Sequence, residues 1–508
     1  MSAPAPVRTG GGAGAGAGAV LIVGAGFAGL GTAIRLRAAG IDDFVILERS
    51  GQVGGTWRDN VYPGAACDIP SLLYSYSWAP NPDWSRAYSG SAEILAYIRH
   101  LVERYDLARH IRFDADVRDL AFDEAAGTWT ARTTDGGEFT ARTAVLASGP
   151  LSDVHRPDIR GLDRYTGKLI HSARWDPGYD VAGKRVGVIG TGASSVQIVP
   201  ELVRTAGSVK VFQRTPGWVL PRLDFGHPQW LRSVFRHAPA VQDAARWAWF
   251  AGHEAVALGL VWDSVFTTAV QAVARANLRL QVKDPWLRRR LTPDFRAGCK
   301  RMLMTSDYYR ALQEDTCTLI TWPIATLAEN GVRTADGIEH EVDAVVLATG
   351  FDVNHSGTPF PVTGAGGREL GQEWAGEAYA YKSVNVAGYP NLFLTFGPNS
   401  GPGHNSALLY LEAQIDYTVA AVELILERDV RALDVRADSQ ERFNRDLQRR
   451  LAGTTWNSGC RSWYLTPDGF NAAMYPGFAT QYARQLRRIE LADYRVDRRR
   501  AAALAAPA

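Results

Sequence analysis

Residues 165–195 read YTGKLIHSARWDPGYDVAGKRVGVIGTGASS, and the second half of this stretch decides the fold. Arg185-Val-Gly-Val-Ile189 is a short apolar run that passes through Gly190-Thr191-Gly192 into a segment with helical spacing. A strand covered on both faces reads as such a run, and the glycines form a tight turn that offers a helix N-terminus to a phosphate. The same order occurs near the start of the chain, where Ala19-Val-Leu-Ile-Val23 is followed by Gly24, Gly26 and Gly29. Two such units predict an α/β protein with two Rossmann-like dinucleotide-binding domains.

The residues beyond each turn tell the two sites apart. In the first unit Gly24 allows the tight turn, Gly26 lets a pyrophosphate approach the backbone, and Gly29 lets the helix over 28–39 pack on the strand. The next strand, 44–47, ends at Glu48, 24 residues after Gly24. A carboxylate there can accept hydrogen bonds from both ribose hydroxyls. In the second unit Gly190, Gly192 and Ser195 repeat the pattern, and the same offset reaches Arg214 in Val211-Phe-Gln-Arg214-Thr215. An acid repels a 2′-phosphate, whereas an arginine binds it through two parallel hydrogen bonds. The first site is therefore assigned to FAD and the second to NADPH.

Each unit has its own meander. Residues 111–149 alternate apolar and polar, turn at Asp135-Gly136-Gly137 and close on the run 144–147. Residues 317–350 do the same, with turns at Asn330-Gly331 and Asp336-Gly337. The expected organisation has an FAD-binding domain over 19–150 and 343–490 and an NADPH-binding domain over 151–220 and 295–342. A helical insertion spans 221–294, a disordered tail spans 1–18, and a solvated tail spans 491–508. A long helix is expected from about Asn405, its positive N-terminus toward the flavin. The apolar segment Trp247 to Trp262 contains Gly252, His253 and Glu254 and is shorter than the ~20 residues of a membrane span. It is read as a buried or channel-lining helix.

The chain has 508 residues, 46% hydrophobic and 21% charged, which are globular proportions. Its net charge of +2 gives no reason to expect nucleic acid as a partner. Cys67, Cys299, Cys317 and Cys460 stand far apart with no CxxC pair, which argues against a disulfide scaffold, a zinc site or a dithiol redox centre. A reducing cytoplasm is the expected setting.

Longer motifs resemble those of a known family. Tyr165-x-Gly167-x3-His171-x3-Trp175-Asp176 is similar to the linker fingerprint of class B flavoprotein monooxygenases, in the form carried by Baeyer–Villiger monooxygenases. Tyr165 replaces the usual Phe. A second signature of that family is met by Gly54-Gly55-Thr56-Trp57, Tyr62-Pro63-Gly64 and Asp68. The resemblance implies that Arg301, in Gly298-Cys299-Lys300-Arg301, is the catalytic arginine and that Asp68 is its partner. It also implies that Lys300 is a second contact to the 2′-phosphate, that Trp463 lies on the nicotinamide side, and that His171 ties the domains together. Cofactor contacts are expected from Gly24, Gly26, Phe27, Ala28, Gly29, Glu48, Gly55, Thr56, Trp57, Asp68, Tyr74, Val117 and Leu408. In the second unit they are expected from Gly190, Thr191, Gly192, Ala193, Ser194, Ser195, Gln197, Arg214, Thr215, Lys300, Arg301 and Trp463.

The implied activity is NADPH- and O2-dependent insertion of one oxygen next to a ketone carbonyl, through a flavin peroxide stabilised by Arg301. The rival readings are oxidation of nitrogen or sulfur, or hydroxylation, by a related flavin-containing monooxygenase, and an NADPH-dependent flavin reductase. Trp218, Trp247, Trp249 and Trp262 suggest a lipophilic ketone as substrate. One departure from the family is Tyr381-Lys382-Ser383, where a Tyr-x-Gly is common.

Overall fold

A computed structural model describes residues 18–352, 358–460, 462–466 and 468–499. The expected tail at 1–18 therefore lies outside the described residues except for Gly18, and so does 500–508.

The first sheet has eight strands. Gly18–Val23 lies between Phe44–Leu47 and Glu138–Leu146, parallel to both. Its residues after Gly18 are all buried, as the apolar run requires. Helix Phe27–Ala38 covers it, and a Cβ at Gly29 would collide with the carbonyl oxygen of Gly24. The meander follows as Val117–Asp123, Thr128–Thr133 and Glu138–Leu146, antiparallel in register. Leu392–Leu394 returns to the same sheet beside Glu138–Leu146. It leads to helix Ala407–Glu427, capped by the Ser406 hydroxyl, which accepts from the Leu408 amide at 3.2 Å.

The second sheet has five strands, all parallel, in the order Cys317–Ile320, Ser208–Phe212, Arg185–Ile189, Ala344–Leu347, Lys168–His171. Ala344–Leu347 thus belongs to the second unit, whereas the sequence division had placed residues from 343 in the first. Gly24 (φ +110°) and Gly190 (φ +117°) adopt the same left-handed turn, a region that side chains other than glycine rarely enter. Gly167 of the linker motif has a steric reason, because a Cβ there would stand 2.7 Å from the Asp343 carbonyl oxygen and strike the Tyr165 ring.

Two linkers join the units, and they are bonded to each other. The His155 amide donates to the Gly350 oxygen at 2.9 Å, and the Asp352 amide to the Asp153 oxygen at 2.9 Å. Thr349 Oγ1 donates to the His155 oxygen at 2.6 Å, and His155 Nδ1 meets Asp352 at 2.6 Å.

The insertion forms four helices, Gln229–His237, Pro239–Leu260, Val265–Gln281 and Pro285–Arg290. Ser264 caps the third, and Asp284, with Pro285 at the first helical position, caps the fourth. The reading of Trp247 to Trp262 as a buried or channel helix is corrected here. Trp247 is 69% exposed, and no residue of Pro239–Leu260 reaches the main cavity. Alanine and glycine recur around this helix, so its mean hydropathy gave no sign of which face meets protein. Residues 491–499 are likewise no tail. Tyr494–Arg498 pairs antiparallel with Val430–Val435, and Tyr494 is buried. Ser383 stands at φ +64° where the family's glycine would fit more easily; its hydroxyl donates to the Asn399 oxygen at 3.2 Å. Among the described residues no helix is long and apolar enough to cross a membrane.

Candidate active site

One cavity of about 1250 Å³ runs from the Gly24–Gly26 turn to the Gly190–Gly192 turn. It passes Asp68 and Arg301 on the way. Phe27, Ala28, Glu48, Gly55, Thr56, Trp57, Tyr74, Val117 and Leu408 line it on the first unit's side. Thr191, Ala193, Ser194, Gln197, Arg214, Thr215, Lys300 and Trp463 line it on the second's. Gly29 and Ser195 do not. Both sit where helix packs on strand, and Ser195 is fully buried, so neither reaches a ligand in the cavity.

The first turn is held by Glu48. Its Oε2 accepts from the Ala25 amide at 2.8 Å, and its Oε1 from the Ser50 amide at 3.0 Å and from Arg58 at 2.8 Å. A carboxylate offers about four lone-pair sites, so room remains for a ribose hydroxyl. Arg58 was missed in the sequence, although it follows Trp57 directly and opposes the acid in charge; it also pairs with Asp59 at 2.8 Å. Trp57 and Tyr74 form an aromatic wall, edge to face at 5.5 Å, with Trp57 Nε1 donating to the Tyr74 hydroxyl at 3.2 Å. Asn405, Ala407 and Leu408 bring the N-terminus of helix Ala407–Glu427 to the cavity.

Arg301 and Asp68, 233 positions apart in sequence, meet as a bidentate pair, with Nε–Oδ2 3.0 Å and Nη2–Oδ1 2.8 Å. The charge of Asp68 raises the Arg301 pKa further above its ordinary value, against the opposing effect of burial. The Arg301 side chain is 43% exposed, open to the cavity it lines. Tyr464, also missed, lies close enough for its hydroxyl to feel the Arg301 charge, and burial pushes that hydroxyl up to about 12.

Arg214 and Lys300 also converge. Burial lowers the Lys300 pKa, and the nearby Arg214 charge lowers it further. Among the described residues, no carboxylate forms a salt bridge with either. Two cations brought together at a cavity wall, with Asp294 near Lys300 but no salt bridge to either among the described residues, suit an anionic ligand. A Cβ built on Gly192 would meet nothing within 4 Å, which leaves the space beside the turn open for a diphosphate. The cavity therefore fits two dinucleotides, with the acid at one end and the paired bases at the other.

Gln197 does something the sequence did not suggest. Its Oε1 accepts from the Tyr62 hydroxyl at 2.9 Å and from the Ala66 amide at 3.3 Å, and its Nε2 donates to the Ala66 oxygen at 3.0 Å. It fastens the second unit to the first. His171 Nδ1 accepts from the Ala173 amide at 3.1 Å, and its Nε2 lies 3.4 Å from Thr349 Oγ1. Burial and the Arg174 charge lower its pKa. It is thus a neutral tie between strand end and linker. The insertion grips the loop before helix Ala407–Glu427 through Glu254, which accepts from His404 Nε2 at 3.1 Å, Asn405 Nδ2 at 3.2 Å and the Ala479 amide at 3.0 Å.

None of Trp218, Trp247, Trp249 and Trp262 lines the cavity. Trp218 is buried with its Nε1 donating to the Phe295 oxygen at 2.8 Å, and Trp262 packs on Phe478. They give no ground for inferring a lipophilic substrate. The cysteine reading is corrected as well, because Cys299 and Cys460 form a disulfide with a Cα–Cα distance of 6.2 Å. Only Cys67 and Cys317 are free, both buried.

An α/β protein in which a single cavity joins an acid-ended and a base-ended dinucleotide turn is a two-cofactor flavoprotein oxidoreductase. Residues 21–238 match the pyridine nucleotide-disulphide oxidoreductase family. The chain is 42% identical over 489 residues to a Baeyer–Villiger monooxygenase of Streptomyces coelicolor, covering 94% of this chain and 92% of that one. It is 36% identical over 491 residues to the FAD-binding monooxygenase ktnD of Aspergillus niger, covering 93% and 81%. Among solved structures, an oxidised steroid monooxygenase bound to NADP is similar with a TM-score of 0.84 and 31% identity, covering 94% and 99%. The chain belongs to the Baeyer–Villiger monooxygenase family, and it is an FAD- and NADPH-dependent monooxygenase.

Proposed function

We propose that this enzyme converts a ketone to an ester or lactone, with Arg301 as the catalytic residue and Asp68 as its orienting partner. One atom of O2 enters the product beside the carbonyl, the other leaves as water, and NADPH supplies the two electrons. The bidentate Asp68–Arg301 pair on the wall of a cavity that joins both dinucleotide turns carries this reading.

The first turn would hold FAD, whose chemistry, once it is reduced by NADPH, would be the activation of O2. The chain's own residues do the rest. Glu48 and Arg58 brace the turn beneath the first cofactor. Arg214 and Lys300 take the 2′-phosphate of the second. Trp463, on the cavity wall, would stand on the nicotinamide side. An oxygen nucleophile that attacks a carbonyl carbon is an anion, so the site needs a permanent cation. Arginine is one at any working pH, and Asp68 holds its proton still more firmly. Oxidation of an amine or sulfide instead needs a protonated, electrophilic oxygen, which a fixed cation disfavours.

The test is Arg301→Ala. The variant is expected to purify with FAD and to oxidise NADPH while forming ester at no more than about 1% of the normal rate, since a fixed cation at developing negative charge contributes roughly 2.7–4 kcal/mol. Ester formation at the wild-type rate would overturn the assignment.

A further inference from the structure

We propose that the Cys299–Cys460 disulfide is a positioning element of the monooxygenase site and a point of control by thiols. This rests on the reading of Arg301 as the oxygenation residue. Cys299 stands immediately before Lys300 and Arg301, and Cys460 three residues before Trp463. The bridge thus joins the loop that supplies the cationic residues to the loop that supplies the aromatic wall, 161 positions away.

Among the described residues little else connects the two loops. Among the described residues, the backbone amides of the second loop bond within its own neighbourhood, Ser458 to Thr455 and Leu465 to Ser462. The Cys460 amide reaches across, donating to Cys299 Sγ at 3.3 Å. Farther back, a Cβ on Gly298 would sit 2.9 Å from the Leu260 oxygen and 3.1 Å from Thr455 Cβ, so the base of the first loop is tightly seated. The placement of the tip that carries Trp463 against the one that carries Arg301 depends on the bridge. Its loss leaves Arg301 held by Asp68 and by the pairing of Leu303–Met304 with Val219–Leu220, while Trp463 and Tyr464 lose their tether to it.

The bridge is also accessible to exchange from one end. Cys299 is fully buried and Cys460 half-buried. A dithiol attacks the half-buried Cys460 Sγ, and the S–S electron pair leaves on Cys299 Sγ, which takes up the proton the attacking thiol gave up. The second thiol of the reductant then displaces Cys460. The reductant ends as a disulfide and the protein as two thiols, with no other oxidant or reductant required. Where disulfides occur in reducing compartments they are most often catalytic or redox-sensing.

The experiment uses the holoenzyme, untreated, reduced with dithiothreitol and then reoxidised, beside Cys299→Ser/Cys460→Ser. Mass spectrometry after alkylation counts free thiols, with two expected before reduction and four after. Product formed per NADPH consumed is expected to fall on the order of 10-fold on reduction, with hydrogen peroxide making up the difference, because a 1 Å misplacement of a catalytic group already costs up to 100-fold. The affinity for NADP⁺ should fall in parallel, FAD content should hold, and reoxidation should restore the wild type. The double variant should match the reduced enzyme and ignore dithiothreitol. Equal product yield and equal NADP⁺ affinity in untreated and reduced wild type would overturn the proposal, as would four alkylated thiols in untreated enzyme. If the double variant fails to fold, the reduction and reoxidation series on wild type decides alone. If no ketone is oxygenated by any form, the functional reading fails, and the NADP⁺ affinity still reports on the bridge.

Discussion

Replacing Arg214 by alanine should turn an NADPH enzyme toward indifference between NADPH and NADH. Arg214 is exposed at the cavity, has no salt bridge among the described residues, and stands near enough to Lys300 to depress its pKa. A charge-assisted hydrogen bond contributes about 1.5–3 kcal/mol. Loss of the arginine's share should therefore raise KM for NADPH about 10- to 140-fold, at 1.4 kcal/mol per factor of ten. KM for NADH, which has no phosphate to lose, should move little. Lys300 changes in the opposite sense. Without the Arg214 charge its pKa rises toward the ordinary lysine value, so it stays protonated and retains part of the affinity. The double variant Arg214→Ala/Lys300→Ala should accordingly lose more than the two single losses added together, because in each single variant the remaining cation still serves the shared ligand group. Steady-state NADPH and NADH oxidation, with kcat and KM separated, is the assay. A phosphate contact removed equally from ground and transition states leaves kcat unchanged. An NADPH to NADH preference in Arg214→Ala within twofold of wild type would refute the reasoning from strand-end charge.

Two further outcomes follow from particular contacts. Burial alone would raise the Glu254 carboxyl, but hydrogen bonds from His404, Ala479 and Thr480 more than reverse this and hold it at about 2, below its ordinary 4.5. A depressed carboxyl stabilises the fold above its unfolded pKa and stops doing so as pH falls from about 4.5 to about 2, for a contribution of about 3 kcal/mol at neutral pH. Glu254→Gln should be less stable than wild type in urea at pH 7, and the gap should shrink by pH 3; an unchanged gap would count against the network. Gly29→Ala and Gly192→Ala should fail differently. The first drives a methyl group into the Gly24 oxygen and should lower Tm sharply or prevent folding. The second meets no protein atom within 4 Å, so it should keep Tm while weakening NADPH binding. Equal Tm for both variants would show that the two glycines do not divide their roles as described.

What could be read from the sequence was local. The strand, turn and helix of each unit lie within about thirty residues, so periodicity and glycine spacing carry them, and the charge at the strand end distinguishes Glu48 from Arg214. The meander turns at Gly136, Gly331 and Gly337 were legible for the same reason. What escaped depends on contacts between distant segments. Cys299 and Cys460 lie 161 positions apart and carry no spacing signal. Tyr494–Arg498 is too short and too charged to announce a strand until Val430–Val435 is beside it. The insertion's tryptophans have helical spacing, but spacing cannot say which face meets protein, and theirs turn away from the cavity. Gln197, expected among the cofactor contacts, lines the cavity, and its bonds to Tyr62 and Ala66 across the boundary between units carry no local signal.

The two linkers hydrogen-bonded through His155, Gly350 and Asp352 have a mechanical meaning. A pair of units on one flexible connection could twist and slide in any direction. With two connections joined side by side, the remaining freedom is mainly rotation about the line they share, like a door on its pin. The Gln197 bonds to Tyr62 and Ala66 act at another point of the rim, as a catch. A swing that parts the units there must break those three bonds, so the rate of opening, and with it cofactor turnover, should depend on Gln197.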